Sequence, residues 1–110
     1  MAGAGDFSNA VKKLAFISSG TPEADHARQR LAEKYGDTPP EEADCIVALG
    51  GDGLMLRTLH RYMGTGKPIY GMNRGSIGFL MNQYREANLR KRISDAKASI
   101  IHPLLIKAVN

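Results

Sequence analysis

Long apolar runs are missing from this sequence. None approaches the roughly 20 residues that a membrane-spanning helix needs, so no transmembrane segment is expected. Cysteine is nearly absent. Cys45 stands alone, which excludes an intrachain disulfide framework and fits a reducing cytoplasm, with the thiol read as a small buried hydrophobe. The N-terminus lacks the basic and apolar regions of a signal peptide, and residues 1–12 read as a loose tail. Two phosphate-binding signatures are absent as well. There is no Gly-x-x-x-x-Gly-Lys-Ser/Thr loop, so P-loop chemistry is excluded. There is no Gly-x-Gly-x-x-Gly after a strand, which weakens a dehydrogenase reading. No metal-ligand cluster is visible, so no protein ligands are assigned to a metal. The basic residues are not interleaved with aromatics and form no recognised motif, so nucleic acid is not expected as a partner.

What remains is ordinary in bulk and uneven in charge. A chain of 110 residues, 43% hydrophobic and 24% charged, supports one globular domain with one core. Residues 1–44 carry 5 Lys/Arg and 8 Asp/Glu, net −3, whereas residues 45–110 carry 10 and 3, net +7. A basic excess in the second part suits an anionic ligand such as a nucleotide. Solvated helix faces would give the same count.

The organising stretch is Asp44-Cys45-Ile46-Val47-Ala48-Leu49-Gly50-Gly51-Asp52-Gly53. An apolar run without polar alternation reads as a strand buried on both faces, as inside a parallel sheet. Such a strand delivers its C-terminal end to the crevice where α/β folds take ligands. Asp52 lies there among glycines that let the backbone turn sharply and a ligand come close. The helix that follows would point free N–H groups and a positive dipole end at an anion. Two readings stay open from this motif alone. In one, Asp52 merely caps a helix that begins at Leu54. In the other, its carboxylate orients or deprotonates a substrate hydroxyl while neighbouring N–H groups hold phosphate.

Around that stretch the pattern alternates. Residues 13–18 predict a first strand. Thr21 as cap, Pro22 at the first helical position and Gly36 at the end bracket a helix with Ala24, Ala27, Leu31 and Tyr35 on its apolar face. His26 falls on the outer face of that helix beside Arg30 and reads as solvent-exposed. The next helix places Met55, Leu56, Leu59, Tyr62 and Met63 on its buried side. Residues 68–72 predict a third strand, residues 73–82 a second glycine-punctuated loop, and residues 86–97 a third helix with Leu89, Ile93 and Ala96 inward. Residues 99–102 and 104–109 look like strands. The order predicts an α/β fold, a three-layer parallel sheet with flanking helices of Rossmann-like kind. Residues 13–98 form that domain. Residues 99–110 would begin a further β-rich one, truncated here.

The second loop, Asn73-Arg74-Gly75-Ser76-Ile77-Gly78-Phe79-Leu80, sharpens the picture. Two glycine loops after successive parallel strands would line one crevice, and Phe79 could stack on a base there. Gly50-Gly51-Asp52-Gly53 followed by Asn73-x-Gly75-x-x-Gly78-Phe79-Leu80 resembles the N-terminal domain of bacterial ATP-dependent NAD kinases. Diacylglycerol kinases and 6-phosphofructokinases share the first signature but not the second loop.

The resemblance implies transfer of the γ-phosphate of ATP, or of polyphosphate, to the 2′-hydroxyl of the adenosine ribose of NAD. It implies Asp52 as proton acceptor and Asp52 and Gly53 as an NAD-contacting pair beside Gly51. It implies Arg57 at a nucleotide-binding position, Phe79 bordering the adenine, and Asn73 and Gly75 in the same loop. It also implies a divalent cation such as Mg²⁺ accompanying ATP, a homo-oligomeric full-length protein, and a cytoplasmic location. Two features depart from the family pattern. Leu54 stands where a small hydroxyl residue is common, and the Asn-Glu motif of the family's C-terminal domain is not in this chain. Two alternatives accompany this expectation. One is a non-catalytic nucleotide-binding α/β module, although Ser18-Ser19-Gly20 offers no receiver-like acidic cluster. The other is a lipid or sugar kinase of the same superfamily.

Overall fold

The computed structural model describes residues 12–75 and 81–95. Within them lie strand β1 (Leu14–Ser18), helix α1 (Pro22–Tyr35), a 3₁₀ turn at Pro40–Glu42, β2 (Cys45–Leu49), α2 (Asp52–Tyr62), β3 (Ile69–Asn73), β4 (Asn82–Gln83) and α3 (Leu89–Asp95). The four strands form one parallel sheet in chain order, β1-β2-β3-β4. The strand-like segments at 99–102 and 104–109, Ala96 and the N-terminal tail up to residue 11 lie outside the described residues.

Local chemistry sets the ends of α1. The Thr21 hydroxyl accepts from Ala24 N at 3.2 Å, Pro22 occupies the first turn, and Gly36 leaves the helix at φ 83°. A positive φ is cheap only for glycine, so the helix stops where glycine stands. β2 is buried along its whole length, and its side chains alternate between two cores. Cys45, Val47 and Leu49 face α1 and α3, whereas Ile46 and Ala48 face α2. This is the burial that an unbroken apolar strand demands. Burial also pushes the Cys45 thiol up to about 12, so it behaves as a small hydrophobe and not as a nucleophile.

Three layers thus form without any reversal of strand order. The β1-α1-β2 and β2-α2-β3 units step across the sheet in the same direction, yet α1 and α2 cover opposite faces. Their crossovers therefore have opposite hands, and one is left-handed, against the general rule. The chain leaving β1 and the chain leaving β2 consequently diverge, and the sheet edge between them stays open. In doubly wound sheets a change of strand order produces the same opening.

Four details differ from the pattern-based expectation. Helix α2 begins at Asp52, not Leu54. Its buried residues are Leu54, Met55, Thr58 and Leu59, while Leu56 is 59% exposed. The stripe set by Met55 and Leu59 turns Leu56 about 100° away from the core side. The end of the expected second loop pairs as β4, with Met72 opposite Asn82 and Asn73 opposite Gln83. Helix α3 begins at Leu89, not residue 86, because Glu86 is spent elsewhere. Its carbonyl accepts from the Tyr35 hydroxyl at 2.5 Å and its carboxylate takes two bonds from Arg30, at 2.6 and 3.1 Å.

Two carboxylates pin distant segments together and make stability depend on acid. Asp44 Oδ2 accepts from Lys13 N at 2.9 Å and Lys12 N at 3.0 Å, joining the starts of β1 and β2. These bonds, the one to Lys13 foremost, hold its carboxyl below the usual range, and the Arg30 guanidinium does the same for Glu86. Each group therefore binds fewer protons folded than unfolded. Its contribution is complete above its unfolded value and is lost as pH falls through the lower folded one. Stability should accordingly drop on acidification below about pH 4. In denaturant titrations across that range, Asp44→Asn with Glu86→Gln should flatten the acid limb. An unchanged slope would show that other groups set it.

Candidate functional site

The carboxyl ends of β1, β2 and β3 lie side by side because the strands are parallel and in register, Ser18 against Leu49 and Leu49 against Met72. The ladder runs on into the loops. Ser19 N donates to Leu49 O at 3.0 Å, and Gly50 N donates to Met72 O at 3.0 Å. The Ser18-Ser19-Gly20, Gly50-Gly51-Asp52 and Asn73-Arg74-Gly75 segments are thereby brought to one edge.

The glycines of the central turn are not equivalent. A Cβ on Gly50 would lie 2.8 Å from Ser19 Cβ and 3.0 Å from a Leu54 methyl, so the fold itself requires glycine there. Among the described residues, a Cβ on Gly51 or Gly53 would meet no atom within 4 Å. Gly51 has φ −93°, which any residue can adopt. Neither packing nor backbone conformation accounts for the bareness of these two positions. At Gly53, inside α2, helix propensity argues against it as well, since glycine costs about 1 kcal/mol relative to alanine inside a helix, whereas Gly51 precedes the helix at a position where glycine is well accepted.

Asp52 is the first residue of α2, and Gly51 is its cap, with Met55 N donating to Gly51 O at 3.1 Å. The reading of Asp52 as the cap of a helix beginning at Leu54 is corrected by this geometry. Asp52 is partly exposed, at the positive end of the helix dipole.

A cavity opens on each face of the sheet beside this turn. On the α1 side a cavity of about 330 Å³ is lined by Glu23, Gly50, Asn73, Arg74, Gly75 and Tyr84, among others. On the α2 side a cavity of about 490 Å³ is lined by Ser18, Ser19, Leu54, Arg57, Arg61 and Tyr62, among others. Gly50 lines the first cavity and Leu54 the second, and Asp52, in the turn between these two residues, lines neither. Of the residues singled out from sequence, Asn73 and Gly75 therefore belong to one cavity and Arg57 to the other. Gly51, Asp52 and Gly53 connect the two. Phe79 lies outside the described residues. Among the described residues no three His, Cys, Asp or Glu side chains converge as a metal cage would require.

Sequence reasoning missed the wall opposite α1. Arg74 lies 5.0 Å over the Tyr84 ring, with a guanidinium nitrogen 3.5 Å from His26 Nδ1. Tyr84 N donates to Asn73 O at 3.1 Å, and its hydroxyl donates to Glu86 Oε2 at 2.9 Å. Burial first, and then Glu86, raises the Tyr84 phenol to about 12, so it stays a neutral donor. The chain Arg30–Glu86–Tyr84 thus carries the second glycine loop against α1. Pairs so far apart in sequence leave no periodic signal. The one hint was that Arg74 falls inside the second motif.

A three-layer parallel α/β domain with bare glycine turns on adjacent strands defines a class of protein that takes its ligand at the carboxyl edge of its sheet. Comparison with known proteins narrows the class. The family model described as "ATP-NAD kinase N-terminal domain" matches residues 7–97. A protein named NAD kinase from Caulobacter vibrioides is 56% identical over 100 residues, covering 91% of this chain and 38% of that protein. One from Rhizobium meliloti is 56% identical over 97 residues, covering 88% and 38%. One from Xylella fastidiosa is 52% identical over 99 residues, covering 90% and 38%. The chain belongs to the ATP-NAD kinase family, in the part that forms its N-terminal domain. It spans about two fifths of the length of these relatives.

Proposed function

We propose that the intact protein is an NAD kinase, moving the γ-phosphate of ATP, or a phosphate of polyphosphate, to the 2′-hydroxyl of the adenosine ribose of NAD. Asp52 accepts the hydroxyl proton as the oxygen attacks phosphorus. The bond from the γ-phosphorus to the bridging oxygen breaks, and ADP departs with the electron pair. Gly51, Asp52, Gly53 and Arg57 contact nucleotide, together with Asn73 and Gly75. Phe79 borders the adenine. One observation carries this reading: Gly51 and Gly53 are bare although no atom of the described residues lies within 4 Å of where their Cβ atoms would sit. Space kept clear on both sides of one carboxylate suits a ligand that must come within hydrogen-bond distance of it.

A divalent cation would arrive with the donor and neutralise phosphate charge. The described residues offer it no cage, and no step is assigned to it. The same reading makes residues 13–98 the nucleotide-binding domain and 99–110 the start of a β-rich domain. It also makes the assembly a homo-oligomer in the cytoplasm.

An acceptor panel tests the proposal. The intact protein, incubated with γ-labelled ATP and NAD, diacylglycerol or fructose 6-phosphate, should label NAD and yield NADP. Label on the lipid or sugar alone would assign it to the related kinases. NAD binding without transfer to any acceptor would make it a non-catalytic module.

A further inference from the structure

Resting on the kinase reading, we infer that the cavity on the α2 side is the subsite for the phosphate chain of the phosphoryl donor, and that Arg61 is its second guanidinium. Arg57 and Arg61 are one helical turn apart and line the same cavity of about 490 Å³. Helical side chains lean toward the N-terminus, so both guanidinium groups incline toward the Asp52 end of α2. Both residues are exposed. The ion pairs among the described residues join Arg28 to Asp37, Arg30 to Glu86 and Lys91 to Asp95, and neither cavity arginine belongs to them. Among the described residues no Asp or Glu lines the cavity. Asp25, which takes the Ser18 hydroxyl at 2.6 Å, stands outside its lining. Arg61 lies 5.6 Å over the Tyr62 ring, a contact that leaves its charge unneutralised.

Two adjacent guanidinium groups without an anion repel each other, at a modest cost that a bound anion would relieve. Their planar donor forks match phosphate oxygens. Position decides which phosphates. At the helical rise, Arg57 lies about 7.5 Å and Arg61 about 13.5 Å along the axis from Asp52. Arg61 is thus beyond the reach of the acceptor hydroxyl that Asp52 serves. A linear phosphate chain whose terminal group is presented to Asp52 runs back along α2 toward Arg57 and Arg61. Ser19, next to the end of β1, also lines this cavity.

The test reads phosphate-chain binding apart from turnover. Inorganic tripolyphosphate is titrated calorimetrically into the intact protein and into Arg61→Gln and Arg61→Lys. Arg61→Gln should weaken tripolyphosphate binding about tenfold, with Arg61→Lys recovering part of the loss. It should raise the KM for ATP by a similar factor while the NAD affinity and the melting temperature stay unchanged. Unaltered tripolyphosphate binding in Arg61→Gln overturns the subsite. So does a parallel fall in NAD affinity and melting temperature, which would give Arg61 a structural role. Failure of the kinase reading itself would appear elsewhere, as NAD left unphosphorylated by the unmutated protein.

Discussion

Asp52→Asn in the intact protein should lower the turnover of NAD to NADP by about a hundredfold to ten-thousandfold, the range for removal of a positioned general base. Asparagine keeps the shape and most of the hydrogen-bonding capacity of the side chain, but it cannot hold a proton taken from the ribose hydroxyl. Asp52 is the first residue of α2 and partly exposed, so the substitution disturbs little packing. Losing a negative charge at the helix N-terminus costs stability about 0.3–1 kcal/mol. The loss should therefore appear in kcat, with the KM for NAD and its measured dissociation constant changed only a few-fold. Single-turnover measurements would locate the effect in the chemical step. Turnover of Asp52→Asn within about tenfold of the unmutated protein would remove Asp52 from the role of base and leave it a helix-terminus residue.

How far such a site can be read from sequence depends on the kind of signal each part leaves. Helix α1 was legible to the residue because its ends are written in local chemistry: a threonine hydroxyl, a proline ring, a glycine at positive φ. β2 was legible because an apolar run of that length has only one comfortable environment between two layers of helices. The two glycine loops were legible as motifs, and parallel pairing brings them to one edge. Other features are tertiary. Leu56 was misplaced because the burial stripe of α2 is fixed by what packs on it, not by the tally of its apolar residues. β4 is two residues long and has no periodicity to detect. Helix α3 starts late because Glu86 answers to Arg30 and Tyr35, more than fifty residues away. The opposite hands of the two crossovers are invisible to any local pattern, yet they set the divergence of the chain at the edge. The split of the candidate residues between two cavities follows from that divergence. Asn73 and Arg57 look equivalent in a motif, but the sheet stands between them.

The three glycines of the turn offer a second decisive result, because they should separate stability from function in opposite directions. Gly50→Ala places a methyl 2.8 Å from Ser19 Cβ and 3.0 Å from Leu54 Cδ2. Ser19 Cβ is fixed to the backbone and cannot swing aside, and Gly50 holds a φ of +157° that a residue with a Cβ adopts only with strain, so the domain should lose about 1–3 kcal/mol. Gly53→Ala meets no atom of the described residues within 4 Å and lies in the first turn of α2. Restricting the unfolded chain and improving helix propensity should stabilise the domain by about 0.4–1 kcal/mol. Its Tm should rise by a few degrees. Activity should nonetheless fall, by about a hundredfold if the new methyl holds the nucleotide an ångström away from Asp52. A variant that melts later and works worse cannot be explained by damaged packing. It means that the missing Cβ makes room for something outside the chain. If Gly53→Ala melts later and keeps full activity, no ligand approaches that backbone, and Asp52 loses the bare flank on which its assignment as base depends.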